Sequence, residues 1–165
     1  MSAERLIGLD VGTHRIGVAV SDELQIIASP ETTILIAQRD EGTDEAIRAI
    51  VALVRRYEAR RVVVGLPRNM KGERGVQALW TEQFVSRLRA ALEPLKVYVS
   101  VIDERLTTAQ AIRTFQEERG RSRGVRREKQ GRTTLDARAA ALILQGYLDR
   151  RRNRRDALDV PGEET

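Results

Sequence analysis

Three acidic positions in this 165-residue chain stand where folding alone does not call for an acid. Asp10 closes the apolar run Leu6-Ile7-Gly8-Leu9 and precedes a glycine turn. Asp103 and Glu104 close a second apolar run, Val97 to Ile102. Asp136 opens the last helical segment and is followed by the small residues Ala137, Ala139, Ala140 and Ala141. Parallel strands of one sheet end on the same side, so acids at strand ends can converge although they are far apart in sequence. Clustered carboxylates repel one another unless a cation neutralises them. Magnesium or manganese does so, and two such ions ~3.5–4 Å apart can clamp the attacking and leaving oxygens of a phosphodiester. Each acid also has a plainer reading. Asp10 can start a turn, Asp103 or Glu104 can pair with Arg105, and Asp136 can favour a helix N-terminus. Spacing alone leaves both sets of readings open.

Composition narrows the chemistry. There is no cysteine and one histidine, His14, which removes disulfides, thiolate zinc sites and histidine-rich metal cages. A metal held here would be a hard cation with oxygen ligands. His14, beside the first turn, reads as a surface residue rather than a ligand. The chain has no basic start followed by an apolar stretch and no run approaching the ~18 apolar residues of a membrane span, so a cytoplasmic protein without membrane contact is expected. The formal charge of +5 is unevenly spread: residues 1–118 are close to neutral, whereas residues 119–165 carry 13 Lys/Arg against 7 Asp/Glu. Positive charge concentrated in one part of a chain suits a polyanionic partner such as nucleic acid. Arg119, Arg121, Arg123, Arg126, Arg127, Lys129 and Arg132 would then contact phosphates, with salt-sensitive affinity and little sequence information. Aromatics make up only 4% of the chain, so shape or a strand end is a more natural cue than an aromatic stacking platform.

The elements that must position these residues follow from periodicity. Arg5 to Asp10 and Ile16 to Val20 read as strands joined by a short turn at Gly12, Thr13 and His14. A third extended stretch spans Gln25 to Ile36, with Pro30 marking an edge or bend. From Thr43, a fair N-cap, Ile47, Ile50, Val51, Val54 and Tyr57 form one helical face. Arg61 to Leu66 is a short apolar run of the kind found in buried parallel strands. A glycine-bearing loop (Pro67 to Gly75), a helix near Val76 to Leu92, the strand Val97 to Ile102 and a helix from about Thr107 to Glu118 follow. A basic loop from Arg119 to Arg132 leads to a final helix from Thr134 or Leu135 to Arg150, with Ala139, Leu142, Ile143, Gly146 and Tyr147 inward. Three strands in a meander followed by α/β alternation define one mixed sheet flanked by helices. One domain over residues 1–150 and a basic, disordered tail over 151–165 are expected.

Four segments together carry a resemblance. Gly8-Leu9-Asp10-Val11-Gly12-Thr13-His14-Arg15-Ile16-Gly17-Val18-Ala19-Val20-Ser21-Asp22 resembles the opening motif of the YqgF (RuvX) family, relatives of the RuvC Holliday-junction resolvase. Val64-Gly65-Leu66-Pro67-Arg68-Asn69-Met70 with Gly72, Asp103-Glu104-Arg105-Leu106-Thr107-Thr108, and Leu135 to Leu148 match in order. The resemblance implies an α/β RNase H-like fold, with a mixed five-stranded sheet of an antiparallel meander plus parallel strands. It also implies a metal-dependent nuclease that processes precursor 16S ribosomal RNA and can act on branched DNA, as a monomer or a homodimer. Carried over by position, Asp10, Glu104 and Asp136 become the catalytic, metal-binding acids for two magnesium or manganese ions. Asp10 would bridge the pair. Glu104 is chosen over Asp103 because successive residues leaving a strand point to opposite sides. Arg15, Asn69 and Thr107 or Thr108 join Arg123, Arg126, Arg127, Lys129 and Arg132 as expected nucleic-acid contacts. Two other classes remain at this stage. One is a non-catalytic RNA-binding assembly factor. The other is an actin-like phosphotransferase, whose phosphate-cradling turn Asp10-Val11-Gly12-Thr13 resembles, although that fold needs two such domains.

Overall fold

The computed structural model describes residues 4–12, 14–37, 41–66, 76–103 and 128–158. The elements run β1 (Leu6–Val11), β2 (Arg15–Ser21), β3 (Ala28–Leu35), α1 (Glu41–Arg56), β4 (Arg61–Leu66), α2 (Val76–Leu92), a short 3-10 turn (Glu93–Leu95), β5 (Tyr98–Asp103) and α3 (Glu128–Leu158). The five strands form one sheet in the order β3-β2-β1-β4-β5. The β1–β2 and β2–β3 pairs are antiparallel, and the β1–β4 and β4–β5 pairs are parallel. This is the mixed sheet expected from the meander followed by α/β alternation.

Central strands are apolar on both faces because both faces are covered. Every residue of β1 is buried. Ile7, Leu9 and Val11 join Ile16, Val18, Val62 and Val64 in a core closed by Ile47, Ile50 and Val54 of α1 and Phe84, Leu88 and Leu92 of α2. Leu6, Ala19 and Val63, on the opposite face, pack against Ala140, Ala141, Ile143, Leu144 and Leu148 of α3. β3 is an edge strand, partly covered and partly exposed, and an edge is where a proline such as Pro30 is tolerated in a sheet. Its register slips beside Pro30: Val18 pairs with Thr32 and Ala19 with Pro30, leaving Glu31 as the extra residue of a bulge. The β2–β3 connection is organised by Asp22, whose carboxylate accepts the N–H groups of Ile26 (2.7 Å) and Ile27 (2.9 Å). Those backbone donors, Ile27 first, hold its carboxyl below the ordinary value.

Three boundaries differ from the sequence reading. α1 begins at Glu41, two residues before Thr43. The last helix begins at Glu128 rather than Thr134, so Lys129 and Arg132 are helical and not part of a loop. It also continues to Leu158, so residues 151–158 of the expected disordered tail are helix. Dense charge does not prevent a helix here: Arg, Lys, Glu and Gln are good helix formers, and no proline falls between 128 and 158. Asp149 and Arg152 add an ion pair one turn apart at 3.2 Å. The buried stripe of α3 is also displaced from the expected one. Ala137, Ala140, Ala141, Leu144 and Leu148 are buried with Ala139 and Ile143, while Leu142, Gly146 and Tyr147 are only partly covered. The expected loop 67–75, helix 107–118 and basic positions 119–127 lie outside the described residues. Among the described residues, no helix is long and apolar enough to cross a membrane.

Candidate active site

Alternation along β1 puts Leu6, Gly8 and Asp10 on the face that α3 covers, opposite Ile7, Leu9 and Val11. Asp10 is therefore a carboxylate on the inner surface of a central strand, 5% exposed. An acid so placed is costly to bury unless charge and hydrogen bonds compensate it. Its neighbours across the sheet are both glycines: Gly17 on β2 and Gly65 on β4. The row through Asp10 thus carries no side chain on either adjacent strand.

Gly17 is where the helix comes down. A Cβ built on it would lie 2.0 Å from the carbonyl oxygen of Asp136 and 2.4 Å from its carbonyl carbon. Real side chains do not make such contacts, so only glycine lets the backbone of α3 rest on the strand at this point. Gly8 does the same further along, where a Cβ would fall 2.7 Å from the Leu144 Cβ and 3.0 Å from the Ala140 carbonyl oxygen. Directly opposed residues of an antiparallel pair stand ~4.5–5.5 Å apart at Cβ. Seating Asp136 on Gly17 therefore sets it beside Asp10, 126 positions away in sequence.

Asp136 lies eight residues into α3, not in its first turn. The helix-dipole reading of this acid fails, because the dipole acts within the first and last turns. Its carboxylate instead faces the Arg15 guanidinium, Nε to Oδ2 3.2 Å, with the two side chains 39% and 26% exposed respectively. Arg15, expected as a nucleic-acid contact, is thus a cation directly against one of the two acids. His14 is exposed, in keeping with a surface role, and its backbone carbonyl accepts the Ile36 N–H.

Two of the three expected acids are accordingly brought together. Glu104 lies outside the described residues, as do Asn69, Thr107, Thr108, Arg123, Arg126 and Arg127; Lys129 and Arg132 fall in the first turns of α3. Among the described residues no group of three or more metal-ligating side chains forms. What the described donor set offers is two carboxylates and neither imidazole nor thiolate, which fits a hard divalent cation. The sequence reading gave Gly17 and Gly8 no role. A glycine inside the strand pattern Ile16-Gly17-Val18-Ala19-Val20 is itself the available signal of a close backbone approach. Gln145 was missed as well. Its side-chain amide accepts the Ala28 N–H (2.8 Å) and donates to the Ile26 carbonyl (2.8 Å), pinning α3 to the start of β3.

A mixed sheet in the order β3-β2-β1-β4-β5 with a helix laid across one face is an RNase H-like fold. The solved structure of Thermus thermophilus RuvC in complex with a Holliday junction substrate shares that fold, with a TM-score of 0.58 at 15% identity, covering 90% of this chain and 96% of that one. The chain belongs to the RuvX family, described as Holliday junction resolvases, whose model matches residues 4–150. Relatives named "Putative pre-16S rRNA nuclease" include one from Rhodococcus opacus, 43% identical over 160 residues, covering 96% of this chain and 85% of the relative. Another, from Anaeromyxobacter dehalogenans, is 46% identical over 147 residues, covering 89% of this chain and 98% of the relative.

Proposed function

We propose that this chain hydrolyses phosphodiester bonds in structured nucleic acid, with precursor 16S ribosomal RNA as its substrate and branched DNA as a second one. The observation that carries this reading is the seating of Asp136 on Gly17, which sets it beside the buried Asp10. Family membership supplies the reaction class.

Asp10, Asp136 and Glu104 would hold two magnesium or manganese ions. Bound there, the ions neutralise the acids and stabilise charge on the attacking and leaving oxygens. Asp10 suits a central role among these acids, because it lies on the central strand beside Gly17, the residue on which the backbone of Asp136 rests. Asp136 is held by backbone packing, so its carboxylate is set by the helix rather than by a mobile loop. Glu104, which follows β5 in sequence and lies outside the described residues, would join them as the family motif implies. Arg15 would orient Asp136 and meet a substrate phosphate, while Lys129, Arg132 and the arginines before them position the strand.

The test is incubation of labelled precursor-type RNA and a four-way DNA junction with magnesium or manganese, comparing wild type with Asp10→Asn. Cleavage by wild type that drops to background in the variant is expected. Cleavage that persists in Asp10→Asn, or none by wild type with either metal, overturns the reading.

A further inference from the structure

α3 lies over β1, β2 and β3, leaving part of the same sheet face beyond it. Gln145 bonds the backbone at Ile26 and Ala28, so one flank of α3 is turned toward β3 and the other toward β4 and β5. On the β4–β5 side, Arg61, Ser100 and Tyr98 share the face of Asp10, because Val63 and Ile102 of the same alternations pack against α3. Tyr98 is 68% exposed there. Among the described residues Tyr98 is the one aromatic side chain that is mostly exposed, and it stands on the sheet face that carries Asp10.

The ring is held in place. Arg61, its direct partner across β4–β5, places its guanidinium 5.5 Å from the ring centroid and donates a hydrogen bond to Ser100 Oγ. One side of the ring thus carries a fixed cation, and the remainder is open to solvent. This combination, an aromatic surface with an adjoining arginine, is what binds the π-face of a nucleobase and the phosphate beside it. Helix geometry adds charge on the same flank. Arg154 follows Asp136 by 18 residues, five full turns, so Asp136, Arg150 and Arg154 fall on one line of α3, and both arginines are exposed. Tyr98 also lies on the same side of the sheet as Asp10. Tyr98 precedes Ile102 by four residues and β5 is two strands from β1. That places Tyr98 about 13 Å along and about 10 Å across from Asp10. At ~3.4 Å per stacked nucleotide this is a path of about five nucleotides.

We infer that Tyr98, backed by Arg61, is a stacking site for a base in a single-stranded segment of the nucleic acid whose phosphodiester lies at Asp10 and Asp136. The inference rests on the proposed nuclease reading for its occupant, but binding tests it without cleavage.

The experiment is fluorescence anisotropy in EDTA with a labelled 12-nucleotide oligouridine RNA and a 12-base-pair RNA duplex, on wild type, Tyr98→Ala and Tyr98→Phe. Removing the ring weakens single-strand binding about five- to a hundredfold, and the phenylalanine variant stays within about twofold of wild type. Duplex affinity is unchanged in both. Unchanged single-strand affinity in Tyr98→Ala overturns the inference. So does an equal loss in Tyr98→Phe, an equal loss on the duplex, or a change in sedimentation without a change in RNA affinity, which would make this a protein-binding face. Failure of the nuclease reading shows separately, as absent cleavage by wild type with metal.

Discussion

The two faces of the sheet are packed in different ways. Under α1 and α2 the residues are large and branched: Ile7, Leu9, Ile16, Ile50, Phe84, Leu88 and Leu92 interlock at side-chain distance. Under α3, Leu6, Val63, Ile143, Leu144 and Leu148 are interleaved with small residues, and Gly8, Gly17, Ala19, Ala137, Ala140 and Ala141 let backbone approach backbone. A face of large side chains buries more apolar area and so contributes more to stability. A face of small ones contributes less, but it fixes the position of a helix closely enough to bring one carboxylate beside another. The first face holds the fold, and the second sets the two acids proposed for the chemistry side by side.

The comparison breaks most visibly if the wrong face proves to hold the stability. Phe84 is fully buried in α2 and stacks on Trp80 with ring centroids 5.6 Å apart. Phe84→Ala should cost about 3–5 kcal/mol, read as a lower urea midpoint at unchanged slope. The turnover of the molecules that remain folded should stay near wild type. A loss of turnover larger than the loss of folded protein would mean the two faces are not separable.

The converse substitution is Gly17→Ala. One methyl group directed at the Asp136 carbonyl oxygen must push α3 off the strand, since the obstacle is backbone and cannot rotate away. Overpacking of this kind costs about 1–3 kcal/mol of stability. Its larger signature is catalytic: a shift near 1 Å between the two acids should lower turnover about a hundredfold. Turnover within a few fold of wild type would show that Gly17 does not set the site.

How far these features could be read from sequence depends on what each one needs. β1, β2 and β4 announce themselves, because strands apolar on both faces leave continuous runs such as Val62-Val63-Val64. Pro30 marks the edge strand for a simple reason of hydrogen bonding. The ends of α3 were misplaced because Gly131 and a dense run of arginines look like loop, while the contacts that order the helix come from elsewhere. Gln145 meets β3, and Arg151 reaches Gln25 at 3.2 Å, whose own amide donates to the Glu4 carbonyl. None of these pairings has a local signal. The acids are similar. Asp10 and Asp136 were visible as residue types and through a family motif, but their adjacency is a product of Gly17, whose importance only the packing reveals.

A smaller effect sharpens the account of the small-residue face at its open end, where Arg15 meets Asp136. The pair is partly exposed to solvent, so its own contribution to stability is at most about 1 kcal/mol. Its meaning lies in competition. A divalent cation that binds Asp136 must share it with, or take it from, the guanidinium. Arg15→Ala should therefore tighten manganese binding, by up to about fivefold if the whole of that interaction is released. The same loss of a positive charge should weaken binding of RNA in EDTA and steepen no part of its salt dependence. Isothermal titration with manganese and anisotropy with RNA read the two effects independently, and Arg15→Lys, which keeps the charge without the planar fork, should fall between. Opposite signs would place Arg15 between metal and substrate at Asp136. Unchanged manganese affinity would mean that the ion pair makes no demand on the acid, and that the small-residue face delivers Asp136 to the site with no help from its neighbour.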